Sequence, residues 1–549
     1  MKKSSTISIS ISFGGGLAAG AIAIAIALLI RSFAGGPFIP ELASQTLFSL
    51  TPGQFESQAV ENLGPLAKYS AFSGALIINF ILYGLFAIFI DKLQNRFHWK
   101  GYLRRATLAS AIAYFILLII SISLVTITEA RTHTQATSIT RLVISLILPQ
   151  IAFGFTLSSF YVARLPSKKP VVEKPSDTTT ELTITRRAFL RAAIAAVVAI
   201  PIIYLGLNRL FLKPEVQIPP PSSPLLLPPQ SRSKPPGFKD PRLTPLLDSE
   251  VTPTYLFYRI DINPVVPVVD ATSWSLNVKG LVNNPLTVSY EEIKSMPSVE
   301  EYATLQCVSN KIGGDLISTA LWKGVRLKDL LARAQLRPGA KYIAFRCYDG
   351  YDVGIPLERG LLDGTILAYE MNLAPLTPEH GYPVRAIVPG LYGMMNPKWI
   401  TEIELVDNVY EGYWARNGWT NIAIEDTHSY IAIPGQAEVR DRFRNLELER
   451  VNIVPGQKVP VAGIAFAGDR GISKVEVSTD GGTTWKSASI KDPLSKYTWV
   501  LWSAGFTPAA APENYKLVVR ATDKTGKVQT AEVRPPFPDG NTGYHIINI

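Results

Sequence analysis

One of the two cysteines of this 549-residue chain lies in the segment LQCVSN, residues 305–310, shortly before Gly313 and Gly314. Three interpretations of Cys307 are open. It is a small buried hydrophobic residue, it forms a disulfide with Cys347, or it is a thiolate that binds a metal or acts as a nucleophile. Two cysteines cannot form a disulfide framework, and the absence of a CxxC motif argues against a zinc ribbon or a c-type haem.

Short elements flank this loop and must position it. Alternating apolar and polar residues predict a strand over 274–280, and Ser289 is a typical cap for a short helix after it. The sequence from Trp322 predicts the start of an amphipathic helix, which we place near 325–335, and residues 341–347 predict a further strand. Mixed short helices and strands predict an α+β domain over residues 252–440.

Only strand signals remain beyond about residue 445. Apolar and polar residues alternate from Val459 to Phe466, and Gly481 and Gly482 predict the turn of a hairpin. Several short strands within ~100 residues are typical of an all-β immunoglobulin-like sandwich, which we predict for residues 441–549.

The first 210 residues hold most of the apolar segments of a chain with net charge +10 and mean hydropathy +0.17. We predict a transmembrane region over 1–210 and a proline-rich extended linker over 211–251. Many basic residues flank the apolar segments, which indicates orientation in a membrane and argues against nucleic-acid binding. The predicted transmembrane helices lie near 8–30, 72–90, 107–126, 142–162 and 188–208.

Lysine and arginine are concentrated in the loops 91–106 and 163–187 and at the N-terminus. The positive-inside rule therefore predicts a cytoplasmic N-terminus in the cell membrane, and five crossings place the chain after Leu207 outside. Arg186 and Arg187 precede Ala-Phe-Leu-Arg, which is typical of a twin-arginine export signal for a domain that folds before it crosses. Alternatively, the pair only anchors a helix end.

From about Thr252 to Ile549 the sequence resembles the sulfite oxidase family of molybdopterin-dependent oxidoreductases. The resemblance implies a molybdopterin-binding domain followed by a dimerisation domain, and hence a homodimer. It also implies that Cys307 is the only direct protein ligand to molybdenum, which suits a soft thiolate. The motifs that carry it are LQCVSN at 305–310, WKG at 322–324, LAYEMN at 367–372, EHGYPVR at 379–385, VPG at 388–390 and KWI at 398–400.

The resemblance assigns further residues to the site. Beside the metal, the expected catalytic residues are Cys307, Arg259, Trp419 and Arg416, with Arg259 orienting the substrate. The expected contacts to the molybdenum-molybdopterin cofactor are Tyr258, Arg259, Cys307, Asp349, His380, Arg385, Asn396, Pro397 and Lys398. Taken singly, Arg385 also fits a structural ion pair, His380 a turn residue and Asp349 a turn cap.

Three departures from the family pattern bear on the substrate. Trp419 stands where sulfite oxidases have a tyrosine beside the metal, and Val500 where their sandwich supplies an arginine. Lys311 and Ile312 stand where members often have two arginines. A sulfite dianion requires several cations, so the substrate is either a small oxyanion or a sulfoxide.

The resulting prediction is a membrane-anchored molybdenum oxidoreductase that transfers an oxygen atom with two electrons outside the cell. Sulfite oxidation is the family default, and sulfoxide reduction is the alternative. The chain has no haem motif and no histidine in the predicted spans, so a separate cytochrome or quinone-linked protein should carry the electrons. A non-catalytic scaffold is the interpretation from a different class.

Overall fold

The computed structural model describes residues 2–63, 66–99, 101–132, 138–164, 186–211, 237–434, 454–509 and 515–548. The chain divides into two compact units. The first consists of Met1–Leu50, Leu66–Glu215 and Asn263–Val265, and the second of Thr51–Pro65, Val216–Ile262 and Val266–Ile549.

The N-terminal part is α-helical, and all its helices except the third belong to the first unit. Glycines let the first and fourth helices approach closely. A Cβ at Gly16 would lie 2.5 Å from Ala87 Cβ, and a Cβ at Gly20 would lie 2.5 Å from Tyr83 Cβ. The helices are α1 (Lys2–Ala34), α2 (Ile39–Leu50), α3 (Gly53–Leu63), α4 (Leu66–Phe97), α5 (Tyr102–Thr132), α6 (Ile139–Arg164) and α7 (Arg186–Phe211).

Within the described residues, four helices are long and apolar enough to cross a membrane. They are parts of α1, α4, α5 and α6, over Ser12–Ala34, Leu66–Phe97, Tyr102–Ala130 and Ile139–Tyr161. The fifth predicted span falls on α7, whose apolar portion Val197–Leu210 is shorter. The predicted helical class of this region is confirmed, with four spans by these criteria and α7 as a shorter apolar helix.

Two of the predictions concern residues that the structure does not describe, or describes only in part. The side chains of Arg186 and Arg187 and most of the predicted linker, residues 212–236, lie outside the described residues. The linker prediction is wrong at its C-terminal end, where residues 241–248 are helical. Phe238, Leu243 and Leu246 are buried in a cluster with sandwich residues, because apolar side chains at this spacing gain more from burial than from extension.

The α+β domain contains two sheets. One has the order β2-β1-β10-β5-β6, in which only β1 and β10 pair in parallel; the other has the order β3-β4-β7-β8, with β9 also pairing to β7. Its strands are β1 (Ser275–Gly280), β2 (Leu286–Ser289), β3 (Ser298–Gln306), β4 (Ile317–Arg326), β5 (Tyr342–Cys347), β6 (Asp352–Pro356), β7 (Ile366–Met371), β8 (Ala374–Pro375), β9 (Arg385–Ile387) and β10 (Ile400–Val406). Its helices, with one preceding the domain, are α8 (Thr244–Asp248), α9 (Tyr290–Ser295), α10 (Leu327–Ala334), α11 (Leu357–Gly360) and α12 (Tyr413–Arg416).

The C-terminal region is a sandwich of two antiparallel sheets, β11-β12-β16-β15 and β14-β13-β17-β18. Its first strand lies N-terminal to residue 441, where the sequence placed the domain boundary. The predicted α+β and all-β classes are confirmed. The strands are β11 (His428–Ile433), β12 (Val459–Phe466), β13 (Ile472–Ser478), β14 (Lys486–Ser487), β15 (Ser489–Ile490), β16 (Val500–Phe506), β17 (Lys516–Asp523) and β18 (His545–Asn548).

The helix predicted near residues 325–335 is α10, although the stretch from Trp322, which was expected to begin it, belongs to a strand. Strand β4 continues through Arg326, and only then does α10 start. Eight of the ten β4 side chains are buried, so the strand shows no alternation of apolar and polar residues. A short strand that is buried on both faces cannot be distinguished from a helix by periodicity.

Candidate functional site

A cavity in the second unit collects the predicted site residues, with one exception, Arg416. Separate elements supply them: the segment before β1, the loop after β3, the turn after β5, the segments on both sides of β9, and the chain after α12. The residues brought together are Tyr258, Arg259, Cys307, Asp349, His380, Arg385, Asn396, Pro397, Lys398 and Trp419.

Cys307 lies directly after β3, where its N–H donates to the Leu316 carbonyl at 2.8 Å. Its Sγ is 3.0 Å from Ser309 Oγ, and burial raises the pKa of the thiol. Cys307 and Cys347 are both free, so the disulfide interpretation is wrong, and Cys347 is a buried residue of β5. The described residues contain no group of three or more His, Cys, Asp or Glu side chains that could hold a metal. A metal at Cys307 therefore needs ligands from a cofactor.

Arg385 is a buried cation at the cavity wall. Its guanidinium lies over the Trp322 ring, 4.9 Å from the centroid, and donates to the His380 and Asn396 carbonyls at 3.2 and 3.3 Å. Burial lowers the pKa of Arg385 to about 10. Its Nε has no hydrogen-bond partner among the described residues. A buried donor without a partner indicates that a ligand completes the site.

Asp261 joins two of the predicted cations. Its carboxylate accepts from Arg259 Nε at 2.6 Å and also from Lys398 Nζ, which donates to the Glu379 carbonyl at 3.1 Å. Burial lowers the pKa of Lys398 to about 8, although Asp261 opposes this shift. We did not predict Asp261, although it closes the segment that contains Tyr258 and Arg259. Its carboxylate neutralises part of the positive charge of the cavity.

The imidazole of His380 is neutral. Its Nε2 lies 2.9 Å from the Thr254 carbonyl and donates to it. Burial, together with the neighbouring Lys398 and Arg385, lowers the pKa of His380 to about 3. His380 therefore contributes hydrogen bonding at neutral pH and no positive charge.

Asn396 shapes the loop that carries Pro397 and Lys398. Its Oδ1 accepts from the Val388 N–H at 2.6 Å, and its amide donates to the carbonyls of Leu391 and Tyr392 at 3.3 and 3.2 Å. These bonds hold the loop against the cavity and stabilise the position of Lys398.

Asp349 and Tyr258 complete this side of the cavity. Burial raises the pKa of Asp349 to about 7, and its carboxylate accepts from the Tyr351 N–H at 3.0 Å. Tyr258 lies against Gly393, where a Cβ would come within 2.1 Å of the tyrosine hydroxyl. Only glycine fits at this close approach.

Three residues considered for the substrate pocket lie elsewhere. Arg416 does not line the cavity, because its guanidinium forms a bidentate pair with buried Asp352 at 2.9 and 2.6 Å. Lys311 lines a second, smaller cavity, and Val500 is buried in β16. The lining cations that structure and sequence share are thus Arg259, Arg385 and Lys398.

Trp419 is buried, with 6% of its surface exposed, and lines the cavity. Its ring packs edge-on against Phe537 at 5.2 Å and Trp414 at 6.3 Å. Within the part of the chain that the structure describes, its indole Nε1 has no hydrogen-bond partner.

Helix α3 also lines the cavity, through Glu56, Ser57 and Val60. None of the three was predicted from the sequence. They lie between two apolar stretches, far along the chain from the motifs, and no residue pattern there indicates a site.

The side chains fit a molybdopterin. A buried thiol offers the soft donor that molybdenum requires, and Arg259, Arg385 and Lys398 offer cations for a phosphate. The unpartnered Arg385 Nε adds a donor that faces no protein acceptor among the described residues.

Comparison with known proteins agrees with this fit. Residues 263–414 match the family described as "Oxidoreductase molybdopterin binding domain", and residues 443–535 match "Mo-co oxidoreductase dimerisation domain". Helix α3 lies outside both matches.

Several curated sulfite oxidases are similar to this chain. The sulfite oxidase of Arabidopsis thaliana is 29% identical over 354 residues, 55% of this chain and 88% of that enzyme. The sulfite oxidase of Gallus gallus is 30% identical over 339 residues, 55% of this chain and 73% of that enzyme. The mitochondrial sulfite oxidase of Macaca fascicularis is 29% identical, and this chain spans 59% of its length.

Among solved structures, that of the sulfane dehydrogenase SoxCD from Paracoccus pantotrophus matches 55% of this chain and 83% of its own, with 22% identity and a TM-score of 0.46. The sequence relationship to the sulfite oxidases and the two domain matches establish the family independently of that structure. The chain belongs to the sulfite oxidase family and is a molybdopterin-dependent oxidoreductase of that type.

Proposed function

We propose that this protein is a membrane-anchored molybdenum oxidoreductase that transfers one oxygen atom with two electrons on the extracytoplasmic side. The observation that carries the proposal is the cavity itself, in which the free thiol of Cys307 lies among cations and a buried, unpartnered donor. When bound, the molybdenum-molybdopterin group supplies the redox chemistry.

The residues of the chain hold and orient this group. Cys307 would ligate the metal, while Arg385 and Lys398 would bind the pterin and its phosphate. His380, neutral and held by Thr254, would offer a fixed hydrogen bond. Arg259, fixed by Asp261, would orient a substrate oxygen beside the thiol. Trp419 would form part of the cavity wall.

The membership of α3 in the second unit supports the predicted topology. Residues 51–65 lie between the first two spans, yet they belong to the same compact unit as the oxidoreductase domain. Their shared membership of one compact unit supports the proposal that this loop and the chain after α7 lie on one side of the membrane. An odd number of crossings, with α7 as the fifth, agrees with that arrangement and places both outside when the N-terminus is cytoplasmic.

Sulfite is the default substrate, because the relatives are named sulfite oxidases. Its oxidation takes an oxygen atom from water and releases two electrons and two protons. A sulfoxide is the second candidate, and its reduction consumes two electrons and two protons and releases water. The pairing of Arg259 and Lys398 with Asp261 favours the sulfoxide, since these cations have less charge to offer a dianion.

Two partners follow from the proposal. The match to a dimerisation domain supports a homodimer through the sandwich. The electrons require a carrier outside this chain, either a cytochrome or a quinone-linked protein.

Metal analysis and turnover test the proposal together. The full chain, purified in detergent from a host that makes molybdopterin, should contain close to one molybdenum per chain. It should turn over sulfite with ferricyanide or methionine sulfoxide with a reduced dye. Trace molybdenum with turnover of neither substrate would favour the non-catalytic scaffold and overturn the proposal.

A further inference from the structure

Helix α3 contacts the cavity wall through its first turn. The Gly53 N–H donates to the Asn417 carbonyl at 3.1 Å. A Cβ at Gly53 would lie 2.7 Å from each of three atoms: the Asn417 carbonyl oxygen, Trp419 Nε1 and a ring carbon of Phe537. A glycine is therefore required for α3 to pack against the Trp419 indole.

Glu56 lies three residues after Gly53, so both occupy one face of α3. Its side chain lines the cavity with only 6% of the residue exposed, and its Oε2 has no hydrogen-bond partner in the described ranges. Burial raises the pKa of the Glu56 carboxyl to about 8, so it is protonated at pH 7. The carboxyl is then a neutral hydrogen-bond donor.

Besides Arg385 Nε, which is assigned above to the cofactor, the cavity holds two further buried groups that can donate, the Glu56 carboxyl and the Trp419 indole N–H. Neither Glu56 Oε2 nor Trp419 Nε1 has a partner in the portion of the chain that is described, and a buried group without one costs about 1–3 kcal/mol. Such atoms are expected where a ligand binds and leaves, because no protein group can take the position permanently.

We propose that α3 forms one wall of the substrate cavity and that Glu56 and Trp419 bind the oxygen of a neutral S-oxide-type substrate. This inference rests on the proposed function and names its substrate class. The oxygen of a sulfoxide accepts two hydrogen bonds without bringing a charge into the cavity. A sulfite dianion would instead need uncompensated cations, whereas Arg259 and Lys398 share the Asp261 carboxylate.

Binding and turnover of the molybdenum-loaded full chain in detergent test this at pH 7. Calorimetric titration with methionine sulfoxide and with sulfite measures affinity, and dye-coupled assays measure KM and kcat. Glu56→Ala should weaken methionine sulfoxide binding about tenfold, the effect of losing one net hydrogen bond of about 1.4 kcal/mol. Glu56→Gln, whose amide still donates, should stay within about threefold of the wild type, and neither variant should weaken sulfite binding.

A second pair of variants moves α3 without changing its carboxyl. Gly53→Ala should reproduce the loss seen with Glu56→Ala, because the added methyl group meets backbone and ring atoms. Gly74→Ala is the matched control, since no atom lies within 4 Å of a Cβ there, and it should behave as the wild type.

The outcomes separate the two proposals. If the wild type turns over either substrate while Glu56→Ala and Gly53→Ala leave both affinities unchanged, the inference is overturned and the proposed function stands. The same holds if sulfite binds more tightly than methionine sulfoxide and Glu56→Ala does not alter the ratio. A wild type that binds neither ligand and contains no molybdenum overturns both.

Discussion

The two sides of the cavity differ in how their polar groups are engaged. Among the predicted pterin contacts, Asp261 neutralises Arg259 and Lys398, and His380 and Asn396 are bonded to backbone carbonyls. Arg385 donates to two carbonyls through its terminal nitrogens, and only its Nε lacks a partner among the described residues. On the side of α3, Glu56 Oε2 and Trp419 Nε1 have no partners within the described residues.

This contrast separates a resident ligand from an exchanging one. A cofactor that stays bound is best served by side chains fixed in advance, because their ordering has already been completed when it binds. A substrate that enters and leaves meets donors that bond to it alone. We therefore assign the first side of the cavity to binding of the cofactor and the second to binding of the substrate.

The largest expected effect is that of Cys307→Ser on the first side. Loss of even an outer partner of a metal ligand costs about 10–100-fold, so loss of the ligand itself should lower turnover by more than about 100-fold. Molybdenum content and kcat measure this. Cys347→Ala is the control, since Cys347 is buried in β5 and should leave both unchanged. Equal losses in the two variants would contradict the assignment of Cys307.

The second effect concerns the ion pairs of Asp261, whose side chain is 3% exposed. Asp261→Asn leaves two partly buried cations without their common carboxylate, and breaking a buried pair costs about 3 kcal/mol or more. The thermal midpoint of the full chain should fall and molybdenum should be retained poorly.

Glu291→Gln removes an exposed pair with Lys294 and is the matched control. That carboxylate is 78% exposed, so no measurable change is expected. A midpoint for Asp261→Asn that equals that of the control would show that the two cations do not depend on Asp261.

The smallest effect is a pH dependence of α3. The pKa of Glu56, about 8 in the folded protein, lies above its ordinary value of 4.5. The contribution of Glu56 to stability is therefore complete below pH 4.5 and is lost as the pH rises through 8. Hydrogen exchange over residues 53–63 should be about tenfold faster in the wild type than in Glu56→Gln at pH 9, and similar in both at pH 4.

Comparison at equal pH removes the contribution of neighbouring groups, because both variants contain them. The titratable groups near Glu56 or in the same cavity are Arg259, Asp261, Cys307, Asp349, His380, Arg385, Lys398, Tyr258, Tyr351 and Tyr413. Equal exchange rates at pH 9 would show that the ionisation of Glu56 does not loosen α3.

The sequence predicted features that depend on neighbouring residues, and it missed features that depend on residues far apart along the chain. The cysteine loop and the segment 379–385 are contiguous motifs, so their residues were found together. The helix cap at Ser289 is local and was also predicted, and in the structure Glu292 completes it as a capping box. Asp261 was missed because its role depends on Lys398, which is distant along the chain. Arg416 was wrongly expected in the pocket. Its partner Asp352 is distant along the chain, and no local pattern indicates that the two side chains form a pair.

Helix α3 could not be predicted as part of the site. Its contacts with Asn417 and Trp419 join positions that are far apart in sequence, and a polar loop between two apolar stretches usually means only a connection. The domain matches begin at residue 263 and do not include it. The structure alone assigns it to the second unit.

If export follows the twin-arginine route that the sequence predicts, the position of α3 in the chain would also set an order of assembly. The oxidoreductase domain would then fold around its cofactor in the cytoplasm, while the loop that carries α3 would already be outside. Helix α3 could then pack against the domain only after translocation. The cavity would lack this wall during export, and substrate selectivity would develop only after export. A soluble fragment that begins after α7 would lack α3. Its kinetics would therefore describe the domain without this wall of the cavity and not the full-length enzyme.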